Sequence, residues 1–166
     1  MSIKRIARIA IFAALLLVQE LALSFIPSVQ LTQCLLVVYY YAFGLLDSII
    51  IIAIHVLLDN LIMGSLDIVF TPIMFASWIL LPLSLHLFKK HQNKYFVSFL
   101  VALHAIIYSL IFVIVSVIIY EIPFITYFIT DLPFEIIFLV NGFITTLIFK
   151  DKLINLLNKF NEKLIH

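Results

Sequence analysis

The sequence YFVSFLVALHAIIYSLIFVIVSVIIY, residues 95–120, contains no Asp, Glu, Lys or Arg. It is longer than the roughly 20 residues that an α-helix needs to cross the hydrocarbon core of a bilayer. Two other stretches, residues 21–43 and 68–88, are also free of these charged residues. Uncharged segments of this length are typical of membrane-spanning helices, so the sequence predicts an all-α, polytopic membrane protein.

The composition indicates the same class. Apolar residues make up 65% of the chain and charged residues 11%, whereas soluble domains have roughly 45–50% and about 25%. An unusually apolar soluble bundle could not bury this much apolar surface. The single cysteine, Cys34, excludes a disulfide within the chain. The sequence carries no pattern typical of nucleic-acid binding.

Prolines and glycines divide the apolar sequence into six predicted helices within one integral membrane domain, residues 1–166. Pro27 and Ser28 break the first long apolar run, and Met63-Gly64 ends the third helix. Pro72 falls in the first turn of the fourth helix, where its missing N–H has little consequence, and Pro133 is expected to start the sixth. The predicted spans are about 5–25, 29–46, 48–63, 69–88, 95–120 and 133–149.

All ten Lys and Arg residues fall into three clusters. The clusters are Lys4/Arg5/Arg8, Lys89/Lys90/Lys94 and Lys150/Lys152/Lys159/Lys163. Six crossings place all three on one side of a bilayer, as the positive-inside rule requires of the cytoplasmic face. Merging two helices, or omitting the last, would leave a basic cluster outside. The sequence therefore predicts that both termini are cytoplasmic.

Each end of the chain allows a second interpretation. The basic start, apolar run and small residues Ala22 and Ser24 are similar to a secretory signal peptide, but we expect this segment to remain as helix 1. Residues 151–166 are predicted to form an amphipathic helix on the inner membrane surface, most simply as an anchor. The apolar residues of this tail are Leu153, Ile154, Leu156, Leu157, Phe160 and Leu164.

Carboxylates gather at the opposite, outer side in this topology, without any Lys or Arg. They are Glu20, Asp59, Asp67, Glu121, Asp131 and Glu135. A carboxylate at the centre of a membrane helix costs roughly 2.5–3.5 kcal/mol on insertion scales, so such residues usually face a cavity or a partner. The outer half is therefore predicted to bind a small molecule that is cationic or rich in hydrogen-bond donors. The candidate binding residues are Gln30, His55, Asp59, Asn60, Asp67, Trp78, Asp131, Glu135 and Asn141.

His55 and Asp59 are four residues apart and therefore share one helix face. They could line a pocket as a hydrogen-bonded pair, relay protons, or simply pack between helices. A metal site requires about three protein ligands, and no further histidine lies near these two residues in the sequence. We predict no metal site.

Ala7, Ala10 and Ala14 form a strip of small side chains along helix 1. Such strips allow close approach of another helix in lipid, either within the bundle or from a different membrane subunit. The sequence has no phosphate-binding glycine loop and no metalloprotease motif. We therefore predict neither an enzyme nor a cofactor bound by this chain, and ATP-driven transport would require partner subunits.

Three segments, IPSVQLT (26–32), HVLLDNLIMG (55–64) and DLPFE (131–135), together with the alanine strip, carry a family resemblance. The chain resembles the substrate-binding S components of energy-coupling factor (ECF) transporters. The resemblance implies a multi-pass protein of the bacterial cell membrane that captures a vitamin-like micronutrient. It also implies assembly with a membrane scaffold, the T subunit, and two cytoplasmic ATPases that use ATP. Ala7, Ala10 and Ala14 would be the docking surface, and the loops containing Gln30 and residues 60–67 would gate the site.

Other functions remain open at this point. A self-sufficient secondary transporter could use Glu20 to exchange protons against a cationic solute. A membrane enzyme could use Asp59 and His55 as acid and base. A structural or assembly protein would bind no small ligand.

Overall fold

The computed structural model describes residues 2–64 and 66–165, with side chains described as far as Lys159. Within these residues the chain forms six α-helices and no strand, which confirms the predicted all-α class. The helices are α1 (Ile3–Leu23), α2 (Thr32–Phe43), α3 (Leu45–Ile62), α4 (Phe70–Leu87), α5 (Lys94–Tyr120) and α6 (Phe124–Ile165). Every helix except α2 is long and apolar enough to cross a membrane. These five helices indicate a multi-pass membrane protein.

The short helix α2 lies at the centre of the bundle. Eight of its 12 residues are buried, and it packs against α1, α3, α4 and α6. At 1.5 Å per residue it is about 18 Å long, shorter than the roughly 30 Å hydrocarbon core. The irregular segment 24–31 precedes it. Non-helical backbone at membrane depth is tolerated where it is buried in protein or lines a cavity, and residues 28–31 of this segment are partly buried.

Two predicted helices, the second and the sixth, differ most from the structure in their boundaries. Helix α2 is shorter at both ends than the predicted 29–46, because Pro27 and Ser28 lie in a longer irregular segment and Gly44 adopts a positive φ of 83°. Helix α6 begins at Phe124, directly after Pro123, rather than at Pro133. Pro133 lies inside the helix, and membrane helices tolerate such prolines.

The predicted amphipathic tail is a continuation of α6, which extends over 42 residues, roughly 60 Å. Leu153, Ile154 and Leu157 pack against the hydrophobic core of the bundle, whereas Leu156 is exposed. The side chains of Phe160, Lys163 and Leu164 lie outside the described residues. As far as Lys159, the tail is therefore part of the bundle rather than a separate surface helix.

As far as Lys159, the residues of the three basic clusters lie at one end of the bundle, hereafter the basic end. Arg5 donates hydrogen bonds to the Asp47 carboxylate, with Nε 2.8 Å from Oδ1, and Arg8 bonds the other carboxylate oxygen. These bonds hold the start of α1 against the start of α3. Lys150 Nζ donates to the backbone oxygen of Gln92 at 3.1 Å and lies 5.1 Å from the centre of the Tyr41 ring. Lys150 thus joins the α4–α5 loop and the end of α2.

Removal of the Asp47 carboxylate is expected to destabilise the bundle. The Asp47 side chain is only 5% exposed, while those of Arg5 and Arg8 are 37% and 32% exposed. Loss of one partner of a fully buried ion pair costs roughly 3–5 kcal/mol, and solvent screening reduces this at half-exposed arginines. We expect Asp47→Ala to lower the free energy of unfolding by roughly 1–3 kcal/mol.

Thermal unfolding of the purified protein in detergent measures this effect. Asp151→Ala is the matched control, because Asp151 also pairs with a basic residue, Lys150, but its side chain is 60% exposed. The control is expected to change stability little. Equal stability of the two variants would show that the Asp47 pairs do not hold α1 in place.

Candidate ligand-binding site

Two adjoining cavities lie at the opposite end of the bundle from the basic clusters. Their volumes are about 310 Å³ and about 260 Å³. Ser28, Gln30 and Tyr108 line both cavities and form the wall between them. No lysine or arginine occurs among the described residues that line either cavity. This end of the bundle is therefore concave, and its charged lining is acidic.

Glu20 and Asp59 supply the charge of the first cavity. Helix α1 brings Glu20 to the cavity one turn before its end, and α3 brings Asp59 there in the same way. The two carboxyl groups lie within hydrogen-bonding reach of each other. Glu20 also accepts a hydrogen bond from the Thr32 hydroxyl at the start of α2. The packing of α1 on α3 thus creates a pair of adjacent acids that the sequence keeps 39 positions apart.

His55 lies behind this pair and does not line either cavity. Its side chain is fully buried, with Nε2 3.5 Å from a Glu20 carboxylate oxygen. Neither ring nitrogen has a hydrogen-bond partner. His55 and Asp59 share a helix face as predicted, but no hydrogen bond joins them. The closer neighbour of the imidazole is Glu20, which only the tertiary structure brings to it.

Asp131 and Glu135 supply the charge of the second cavity. They are four residues apart on α6 and therefore lie on one face of that helix. One Glu135 carboxylate oxygen, Oε1, is buried and has no hydrogen-bond partner. A buried acceptor without a partner costs roughly 1–3 kcal/mol, so this oxygen is suited to receive a donor from a bound molecule.

Aromatic side chains form the apolar walls. The Trp78 and Tyr108 ring centres are 5.0 Å apart, and those of Tyr108 and Phe138 are 5.7 Å apart. Trp78 is only 1% exposed and lines the first cavity, and its indole N–H has no hydrogen-bond partner. Buried indole N–H groups usually have a partner. The wall of the first cavity therefore contains a buried donor that no described protein group satisfies.

Residues 28–31, which contribute Ser28 and Gln30 to the wall between the cavities, are held from two sides by hydrogen bonds. Asn141 Nδ2 on α6 donates to the backbone oxygen of Gln30 at 2.5 Å. The side-chain oxygen of Gln19 on α1 accepts from the backbone N–H of Leu31 at 2.7 Å. Ser28 has a φ of 61°, in the left-handed region that costs a non-glycine residue about 1–3 kcal/mol. The surrounding bonds therefore hold a strained segment between the cavities.

The structure brings some predicted site residues together and leaves others apart. Those that line a cavity are Gln30, Asp59, Trp78, Asp131 and Glu135. Asn141 contributes through Gln30. Asn60 donates to the Val56 oxygen at 2.8 Å, accepts from the Thr71 hydroxyl of α4 at 3.2 Å and does not line a cavity. Asp67 accepts from the Val69 and Phe70 N–H groups, each at 2.7 Å, and so caps α4.

Glu20 and Tyr108 line the site but were absent from the predicted binding set. Glu20 could have been predicted as a binding residue from the sequence, because an acid inside a membrane helix is costly and usually functional. Tyr108 could not have been predicted in this way, since it is one aromatic residue among many in the apolar sequence of α5.

The described residues contain no group of three or more His, Cys, Asp or Glu suited to hold a metal ion. Comparisons with protein-family models, with curated proteins and with solved structures find no match to this chain.

Proposed function

We propose that this protein is the substrate-capturing subunit of an ATP-driven importer of the ECF type in a bacterial cell membrane. The observation that supports it most is the pair of acid-lined, aromatic-walled cavities at the end of the bundle away from the basic clusters. Ligand sites are typically concave and largely apolar, with a few polar groups that fix orientation. The captured molecule is a vitamin-like micronutrient that is cationic or rich in hydrogen-bond donors.

The distribution of charge supports the orientation. Basic residues favour the cytoplasmic face of a membrane protein, so the basic end and the N-terminus face the cytoplasm. The cavities then open toward the outside, where a substrate is captured. Inward release requires a conformational change that this chain undergoes with partner subunits.

The alanine strip supports a partner. Ala7, Ala10 and Ala14 are exposed on the outer surface of α1, whereas the neighbouring Ala13 is fully buried in the bundle. The strip is therefore not used for packing inside this chain. We propose that it docks the membrane scaffold, the T subunit, and that two cytoplasmic ATPases supply ATP hydrolysis. This chain itself carries no catalytic role and no bound cofactor in the proposal.

A second candidate function is proton-coupled transport by this chain alone. The buried contact between Glu20 and His55 favours it, because intramembrane carboxylate and imidazole groups in contact are typical of proton relays. In this alternative Glu20 would take up a proton as a cationic solute leaves and would release that proton when the next solute binds.

Uptake into proteoliposomes distinguishes the two functions. Native mass spectrometry of gently extracted protein first identifies the co-purified small molecule, which is then supplied in labelled form. We expect uptake only when the scaffold and both ATPases are present with hydrolysable ATP on the side of the basic end. A non-hydrolysable ATP analogue is the control. Uptake by this chain alone, driven by a pH gradient, would replace the proposed function with the second candidate.

A further inference from the structure

The acids of the site are divided between its two cavities. Glu20 and Asp59 lie in the first, Asp131 and Glu135 in the second. Tyr108 stands between them and lines both. Each cavity therefore has two carboxyl residues, and Tyr108 is common to both cavities.

Neither pair has a lysine or arginine beside it among the described residues that line the cavities, although Glu20 accepts from the Thr32 hydroxyl and lies 3.5 Å from His55 Nε2. Glu20 is 10% exposed in its side chain and lies against another carboxyl group, Asp59. Two adjacent carboxylates cannot both ionise at low cost unless a cation joins them. In the second cavity, the buried Glu135 Oε1 has no donor. One positive group would satisfy only one of these pairs.

The aromatic side chains between the two pairs of acids are suited to contact the middle of a ligand. Tyr108 stacks on Phe112 with ring centres 4.7 Å apart and lies beside Trp78 and Phe138. Aromatic faces favour both apolar contact and nearby cations. The only polar side chains shared by the two cavities, besides the Tyr108 hydroxyl, are those of Ser28 and Gln30 among the described lining residues.

The unused N–H of Trp78 is an observation independent of the acids. Trp78 is nearly completely buried, lines the first cavity and bonds no protein group. A hydrogen-bond acceptor on a ligand would satisfy it. The first cavity therefore has, in addition to its carboxylates, a wall residue with a buried donor that the protein leaves unpaired.

We propose that the two cavities form one bipartite site for an organic dication, with a positively charged group at each end and an apolar middle across Tyr108. The inference rests on the proposed capture function and specifies the class of its substrate. The group at the first end contacts Glu20 and Asp59, and the group at the second end contacts Asp131 and Glu135.

Binding of α,ω-diaminoalkanes of increasing length to the purified protein in detergent tests this inference. The control for each diamine is the n-alkylamine of the same length, measured by isothermal titration calorimetry. We expect an optimal length at which the diamine binds at least tenfold more tightly than its monoamine. Shorter and longer diamines are expected to approach monoamine affinity, because only one end then reaches its acids.

Substitutions of Asp131 and Glu135 test whether these acids bind the second positive group of the ligand. Glu135→Gln and Asp131→Asn are each expected to remove most of the difference in affinity between the diamine and its monoamine. Glu121→Gln is the matched control, since Glu121 is exposed and lies outside both cavity linings. Thermal unfolding checks that each variant is folded.

Two outcomes would overturn the inference. One is equal affinity for diamines and monoamines at every length, with no effect of Glu135→Gln. The other is failure of the whole diamine series to bind. Either result leaves ATP-dependent uptake of the co-purified molecule untouched, so the substrate class and the capture function fail separately.

Discussion

Ala10→Trp is expected to abolish ATP-dependent uptake while ligand affinity remains unchanged. Ala10 is exposed on α1 and lies far from both cavities, close to the basic end. A tryptophan there holds a second helix away, because close approach in lipid depends on small side chains at the contact. Ala14→Trp is expected to have the same effect. Uptake measures the loss, and calorimetry measures the retained affinity.

Leu15→Trp is the matched control for this prediction. Leu15 is 45% exposed on the same helix, but it lies roughly 100° around the helix axis from the alanine strip. Its replacement places the same indole side chain on the same helix without blocking the strip. Normal co-purification of Ala10→Trp with the scaffold would contradict the docking role, as would equal loss of uptake in Leu15→Trp.

Asp59→Asn is expected to weaken binding of the co-purified ligand by roughly 10- to 100-fold, because hydrogen bonds to charged groups contribute roughly 1.5–3 kcal/mol. The unliganded protein is expected to be as stable as the parent or more stable. The substitution removes one of two adjacent carboxylates and with it their repulsion in the absence of ligand. Calorimetry gives the affinity and thermal unfolding gives the stability.

Asp67→Asn makes the same chemical change at the same end of the bundle and is the matched control. Asp67 caps α4 outside the cavities, and asparagine caps helices about as well as aspartate. We expect unchanged affinity and stability. If Asp59→Asn retained parental affinity in a folded protein, Asp59 would be removed from the binding site.

Patterns within single segments of the sequence predicted most of the helices. The five long helices follow from hydrophobic length, and the predicted end of α3 at Met63-Gly64 lies within one or two residues of Ile62. The start of α6 was wrong because a proline favours the first turn of a helix, and the sequence contains two suitable prolines. Pro123 occupies the boundary and Pro133 lies within the helix. Sequence alone offered no reason to choose between them.

Binding residues were harder to predict than helices. Asp67 and Asn60 are polar and close in sequence to Asp59, yet Asp67 caps α4 and Asn60 joins α3 to α4. His55 shares a helix face with Asp59 but lies behind Glu20. Whether a polar residue lines a cavity depends on which neighbouring helix covers it, and that neighbour is distant in the chain.

The sequence by itself determined that this is a helical membrane protein with its basic clusters separated from most of its acids, because hydrophobic length and charge order are properties of the linear chain. Only the tertiary structure decided that Glu20 joins Asp59, that Tyr108 separates this pair from Asp131 and Glu135, and that Trp78 keeps an unused donor. Those arrangements arise from packing between helices remote in sequence, and the spacing of residues along one helix does not encode them.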